Sequence, residues 1–457
     1  MKRIITLLCT IACAVAACPQ DNKLPTVYLT GDFGYDYQDA TVSILMPDGS
    51  SIDNLKGVVK WRGGSTNTEG KHKRNYKIKL QEDQELFGMR SDNKWILDAG
   101  QADVFRLRNR IATELWNDMA RKPYYADKEP KALTGVRGQV VEVYLNNEYR
   151  GIYCLTECMD RKQLKLKKFD KNSGEIHGGL WKSEGYSCSL MWECLPTYDN
   201  KSDTWDVFEV KYPELDDVEE TNYSTLWNAI NFVANSSDEA FQNEVADYFD
   251  IPVIIDYYIF LNTLNAIDNV GKNMFWAVYD KSEDKKLTPA VWDLDATTGA
   301  KWLGDWAAAD YQMDVNLNLI VRLKALNVDN FNEKTVERYR ELRSSLLSTA
   351  SLISRYNDYY ELLVNSGAAE REEAKWSQDS DVSGEVINFK QEIAFINDWI
   401  TRHMLFLDTT VFSSETAVKS LRACTIDDAD TYNLYGQKVK TPRKGIYIKQ
   451  GKKYIAK

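Results

Sequence analysis

Apolar and polar positions alternate with a period of two through the first part of the chain. TVYLT at 26–30 and ATVSILMPDGSSI at 40–52 read as strands, with Pro47-Asp48-Gly49 as the turn. In NYKIKL at 75–80, Tyr76, Ile78 and Leu80 form an apolar face and Lys77 and Lys79 share the opposite one. VVEVYLNNEYRGIYCLTE at 140–157 is a hairpin turning at Asn146-Asn147, and Glu157 ends its second strand. Between 103 and 120 the spacing changes to four, with Ile111, Leu115 and Met119 marking an amphipathic helix around which Arg106, Arg108 and Arg110 are distributed. From Asp250, a capping residue, through Pro252 in the first turn, a second helix carries Val253, Ile254, Tyr257, Tyr258, Leu261 and Leu264, and is apolar enough to be central. NMFWAVYD at 273–280 and LTPAVW at 287–292 form another hairpin. Long amphipathic helices are predicted over 333–365 and 384–407, the latter with Phe389, Ile393, Ile396, Ile400 and Leu407 as its stripe. Short strands and Gly turns, TYNLYGQKV and KGIYIKQGKKYIAK, close the chain. Strands first and helices later predict an α+β fold. Residues 19–54 read as N-terminal strands or a linker, 55–410 as the main domain, 172–222 as an irregular insertion with Trp181, Trp192 and Trp205, and 411–457 as a β tail.

Composition narrows the function. With 457 residues and a net charge of −11, the chain has the wrong sign for a nucleic-acid-binding protein. Residues 56–79 invert that balance locally, with eight Lys or Arg against one Glu. MKRIITLLCTIACAVAAC at 1–18 has the basic start, short apolar run and small residues of an export signal, and resembles a lipoprotein signal with Val15-Ala16-Ala17-Cys18 as its lipobox. The competing reading is cleavage after Ala16 or Ala17 and a soluble secreted chain. Either way the mature protein is expected outside the cytoplasm, touching membrane only through a lipid on Cys18, and as a monomer. Disulfides among Cys154, Cys158, Cys188 and Cys194, or plain burial, are both open. The chain's three histidines, His72, His177 and His403, sit beside no nucleophile motif, so carboxylates, lysines and a metal are the expected chemical tools.

The densest chemistry lies in AIDNVGKNMFWAVYDKSEDKKLTPAVWDLDATTG, residues 266–299. Asp268 and Asn273 are spaced as D-x-x-x-x-N, and Asp293 and Asp295 follow beyond the hairpin. That is the order in which protein kinases place a catalytic Asp, a metal-binding Asn and a metal-binding Asp. Upstream, Gly63 and Gly64 permit a tight loop whose N–H groups could approach phosphates, next to Arg62 and the Lys77/Lys79 face. Asp32-Phe33-Gly34 precedes every other part and is a coincidence of sequence. Each acid taken singly reads as a turn cap; the constellation favours catalysis.

Taken in order, these parts resemble the CotH kinase family of atypical secreted kinases. WRGGSTNTEGKHKRNYKIKL is similar to the family's RGNS and KKxYxIKL element, FRLRNRIATEL to its MRN-L-A helix, and GIYCLTECMD to its GxYxLxE strand. NMFWAVYD followed by VWDLDATTG is similar to NYYLY followed by WDxDxxFG, and INDWITRHMLFLD to the closing helix. The sequence departs from the pattern at Gly64 (usually Asn), Asn75 (usually Pro) and Thr298 (usually Phe). The resemblance implies a kinase-like two-lobed fold with a nucleotide between a sheet lobe and a helical lobe. It implies ATP with Mg²⁺ or Mn²⁺ as cofactors, and Ser or Thr of exported proteins as acceptors. Arg62 with Lys77 or Lys79 would then bind phosphates and Glu157 would orient the lysine. Asp293 would bind metal with Asn273, Asp295 would assist, and Asp268 would take the acceptor proton. Two other classes stay open: a non-catalytic surface protein that uses the same fold for adhesion, and glycan binding by the Trp-rich region. The last strands resemble type IX secretion sorting tails.

Overall fold

The computed structural model describes residues 23–185, 195–283, 285–301, 306–377 and 386–413, together with the strands 431–433, 445–449 and 452–456. The signal segment, Cys188, Trp192 and Cys194 lie outside the described residues.

Seven strands close into a barrel: β1 (Thr26–Thr30), β2 (Gln38–Leu45), β3 (Ser51–Arg62), β4 (Asn75–Gln84), β5 (Asp92–Asp98), β6 (Gly138–Leu145) and β7 (Glu148–Glu157). They are ordered β1-β2-β3-β4-β5-β7-β6 and close by a parallel β6/β1 pairing. The alternation read from sequence is the cause: Val27, Leu29, Val42, Ile44, Val59, Tyr76, Ile78, Trp95, Leu97, Val141, Tyr153 and Leu155 all point inward and are buried together. The strands at 26–45 therefore do not precede the main domain as a linker; without them the barrel would have two open edges. Phe33 of the coincidental Asp-Phe-Gly packs into the same core.

A second sheet runs β12-β11-β8-β10-β9, with β8 (Gly179–Ser183), β9 (Thr204–Trp205), β10 (Phe208–Tyr212), β11 (Met274–Val278) and β12 (Thr288–Val291). Much of what reads as an irregular insertion is thus structural, because β8 pairs with β11 from Met274↔Ser183 to Val278↔Gly179. Trp181 and Trp205 are buried in the core, which removes their rings from any glycan-stacking surface.

The helices are α1 (Arg108–Met119), the single turn α2 (Arg161–Leu164), α3 (Ser224–Asn235), α4 (Asp238–Tyr248), α5 (Ile251–Leu264), α6 (Asn318–Ala325), α7 (Phe331–Arg343), α8 (Thr349–Asn365), α9 (Ala368–Trp376) and α10 (Phe389–Phe406). The fold is mixed α+β. α5 is buried from Val253 to Leu264, as its apolar composition requires, and α1 crosses it through Trp116 against Phe260, 5.3 Å between rings. The stretch predicted as one helix over 333–365 breaks at 344–348 into α7 and α8. The last three strands, 431–433, 445–449 and 452–456, form an antiparallel sheet. No helix among the described residues is long and apolar enough to cross a membrane.

The three arginines near α1 are not surface residues. Arg106, Arg108 and Arg110 are all buried, each facing a carboxylate: Glu372, Asp103 with Glu392, and Glu114. Glu372 of α9 also takes Lys73 at 3.1 Å and the N–H of Ile152 at 2.7 Å, fastening the helix to the barrel wall. Gly151, at φ +99°, is required there, because a Cβ would lie 2.1 Å from the Glu372 carboxylate. Cys154 and Cys158 are buried free thiols, so burial, not pairing, accounts for them.

Candidate active site

Two loops leave the second sheet side by side. One follows α5, where Asn265 in the left-handed conformation ends the helix and a 3₁₀ turn, Ile267–Asn269, presents Asp268. The other leaves β12 with Asp293, Leu294 and Asp295. Asn269 ties them together, its Nδ2 donating to the carbonyls of Trp292 (2.8 Å) and Asn273 (3.2 Å). Asn273 (φ 50°), Asp293 (φ 57°) and Thr298 (φ 52°) all lie in the left-handed region, which is uncommon for non-glycine residues and especially so for a β-branched one. Strain of this kind collects at sites where side-chain direction matters. Thr298, the departure from the family's Phe, is held by a 2.6 Å hydrogen bond between its hydroxyl and that of Tyr356.

Asp268 is engaged: Lys272 Nζ donates to both of its oxygens, at 2.9 and 3.1 Å, and Asn273 Nδ2 donates to Oδ2 at 2.7 Å. The amide nitrogen of Asn273 being so committed, its Oδ1 is the atom left to meet a cation. Asp293 and Asp295 differ. Among the described residues no hydrogen bond reaches either carboxylate group, yet both are crowded by charge. Asp293 has surface open to solvent, but the protein around it removes enough hydration to raise its pKa; Asp98 adds to the rise, and Arg62 and Lys182 oppose it. The Asp295 pKa is pushed well above the usual carboxylate range, by burial first and then by Asp293, Asp98, Asp103 and Asp268.

The barrel supplies the opposite wall. A cavity between the two parts is lined by Arg62, Asn75, Ile96, Asp98, Asn109 and Asp293, among others. Arg62 lies over the Trp292 ring at 5.4 Å, one residue from Asp293. Gly63, at φ +100°, is needed because a Cβ would fall 2.3 Å from Thr66 Oγ1. Asn75, the departure from the family's Pro, gives this loop its anchor: Nδ2 donates to Thr66 Oγ1 at 3.2 Å and Oδ1 accepts from the Ala99 N–H at 2.6 Å. Gly64 has an ordinary negative φ of −78°.

Lys77 is half-buried on the outer face of β4, where it pairs with Ile96, a cavity residue, and where Arg62 is close enough to help burial lower its pKa. Lys79 is exposed two residues farther along the same face. Glu157 does not orient either lysine. Its carboxylate is buried and filled by Arg137 (2.7 Å) and by the N–H groups of Arg90 and Arg137. Strand parity is the reason: the residue in line with Lys77 and Ile96 is Thr156, and Glu157 shares the inward side with Tyr153 and Leu155.

Four residues that the sequence did not single out belong to the site. Asp98, at the end of β5, accepts from Asn109 Nδ2 at 2.7 Å, and Asn109 Oδ1 accepts from the N–H of Leu294 at 3.0 Å. Those two bonds run from the barrel through α1 to the acid loop. Lys182 on β8 and the bridging Asn269 complete the set. Asn109 lies within FRLRNRIATEL, but nothing in its spacing marks it; Asp98 is one strand-ending acid among many.

Among the described residues no three His, Cys, Asp or Glu side chains stand ready as a preformed metal cage. Asp293, Asp295 and the Asn273 amide oxygen are oxygen donors without a competing hydrogen bond among the described residues, which suits Mg²⁺, an ion that keeps several waters and needs few protein ligands. Among the described residues His177 sets up no Ser-His-Asp relay: Asp280 (3.1 Å) and Ser282 (3.4 Å) both face its Nδ1, whereas a relay needs acid and nucleophile on opposite nitrogens.

The fold is α+β, and its cleft sets Arg62 on the barrel wall opposite a loop whose carboxylates accept no hydrogen bond among the described residues. The family follows from comparison: residues 59–407 match the family model described as CotH kinase protein, and the chain belongs to that family. No curated protein matches the chain. The family's description is that of a kinase, which in general points to phosphotransfer with ATP and a divalent metal.

Proposed function

We propose that this protein transfers the γ-phosphoryl group of ATP to Ser or Thr hydroxyls of exported proteins, acting outside the cytoplasm. The observation that carries the reading is the pair of carboxylates, Asp293 and Asp295, that repel each other and, among the described residues, accept no hydrogen bond, with Arg62 and Lys182 acting on Asp293. Such a pair is unfavourable unless a cation neutralises it. When bound, Mg²⁺ would neutralise charge developing on the phosphoryl oxygens. Asp293, Asp295 and Asn273 hold the metal. Arg62 and Lys77 meet the phosphates from the barrel wall, leaving Lys79 at the rim and Glu157 as a structural anchor. Asp268, oriented by Lys272 and Asn273, accepts or directs the proton of the acceptor hydroxyl. An adhesion protein on the same fold would have no use for this arrangement of acids.

The pH dependence follows from the sign of the shifts. Burial and neighbouring carboxylates raise the pKa of Asp293 and push that of Asp295 well above its ordinary value, so a divalent cation competes with protons for these oxygens as pH falls. Calorimetric affinity for Mg²⁺ with ATP is therefore expected to tighten as pH rises out of the acid range, with proton release visible as a dependence of the heat on buffer. Asp295→Asn should weaken both effects. Binding that is tight, pH-independent and unaffected by EDTA would remove the metal assignment.

A further inference from the structure

On the far side of the two segments that line the cleft lies a second concavity, of about 520 Å³, within the ~300–1,000 Å³ range of ligand-binding clefts. Its walls carry Arg90, Lys122, Lys131, Arg137, Lys162 and Lys165, against Glu85 as the one acid. In a chain of net charge −11 this concentration of cations is not a composition effect. Two kinds of basic residue make it up. Arg90, Arg137 and Lys162 are fixed from behind, Arg90 by Asp92 and Asp160, Lys162 by Asp92, and Arg137 by Glu157. Among the described residues, Lys122, Lys131 and Lys165 make no ion pair, so their charge is available to a ligand. The buried acids hold the frame, and the lysines supply the uncompensated field.

The groove shares its backbone with the active site. Val136 and Thr156 line the cleft; Arg137, the residue after Val136, lines the groove, and Glu157, the residue after Thr156, holds its guanidinium from behind.

We infer that this groove docks an acidic segment of the protein acceptor. The inference rests on the phosphotransfer reading for its purpose but not for its binding chemistry. A concave, multi-cation wall next to the reaction centre fits carboxylates spaced along an extended peptide better than a flat anionic membrane. The exchange is electrostatic, so it weakens as salt shortens the ~10 Å screening length found near 0.1 M.

The test uses the mature full-length protein and the variant Lys122→Glu/Lys131→Glu/Lys165→Glu. All three side chains are at or near the surface, and thermal melting of the variant checks its fold. By fluorescence anisotropy a labelled oligo-glutamate peptide is expected to bind the wild type, to bind the variant about tenfold or more weakly, and to be released by salt. In the transfer assay, the variant should raise KM for an acceptor peptide with an acidic stretch while leaving kcat, and the KM of the same peptide with that stretch replaced by Gly-Ser, unchanged. Equal peptide binding by both proteins overturns the docking site and leaves the kinase reading standing. Loss of peptide binding in a protein that transfers no phosphate sustains the site and sinks the kinase reading. Binding to vesicles of anionic phospholipid but not to the peptide, abolished by the same triple change, also overturns the proposal.

Discussion

Asp293→Ala is expected to lower phosphoryl transfer by on the order of a hundredfold or more while leaving the protein folded. The effect on chemistry follows from the site, since a carboxylate with no internal hydrogen bond has a metal as its natural partner. The absence of an effect on folding follows from the same fact. Removing this side chain breaks no hydrogen bond among the described residues and relieves its repulsion with Asp98 and Asp295. A stability gain alongside the loss of rate would therefore be consistent, as strained active sites commonly show. Rates measured with labelled ATP on purified protein, beside a denaturation curve, check both halves. Undiminished transfer would remove Asp293 from the mechanism.

Glu372→Ala is expected to have the largest effect on stability, about 3–5 kcal/mol. Its carboxylate is wholly buried between Lys73 and Arg106 and also accepts from the Ile152 N–H, so its removal leaves two cations in the interior with no counter-charge. Lys73 shows how tight that environment is: burial pulls its pKa down to about 7, and Glu372 is the largest opposing influence. Glu372→Gln keeps the shape and part of the hydrogen bonding and should fall between wild type and Ala. Urea unfolding midpoints with unchanged slope would measure the series. A loss under ~1 kcal/mol for Ala would mean that water or a rearranged acid compensates the pair.

Much of the fold was legible because it rests on short-range pattern. The alternation of Tyr76, Ile78 and Leu80 marks the apolar face of a strand, which the structure turns into the barrel, and the apolar run from Val253 to Leu264 marks a buried helix. The loop, hairpin and acids from Asp268 to Asp295 lie where their spacing put them. What failed depended on partners distant in sequence. Arg106 and Arg108 look like surface arginines until α9 and α10 bring Glu372 and Glu392 against them, more than 260 residues later. The strands β8 and β10 are too short, and too close to turn residues, to be recognised without the pairing to β11. Glu157 is legible by strand parity alone, since counting by twos from Tyr153 places it on the side away from Lys77. Asp98 and Asn109 could not be found, since their role is a relay between three elements that only the closed barrel brings together.

Incubating the purified mature protein with ATP labelled at the γ-phosphate and Mg²⁺, with and without an acidic Ser-containing acceptor, tests the assignment most directly. Label should pass to protein in a metal-dependent reaction that EDTA stops and Asp293→Ala lowers by on the order of a hundredfold. A protein that neither binds the nucleotide with metal nor transfers label would contradict a phosphotransferase and favour a binding role for the same cleft.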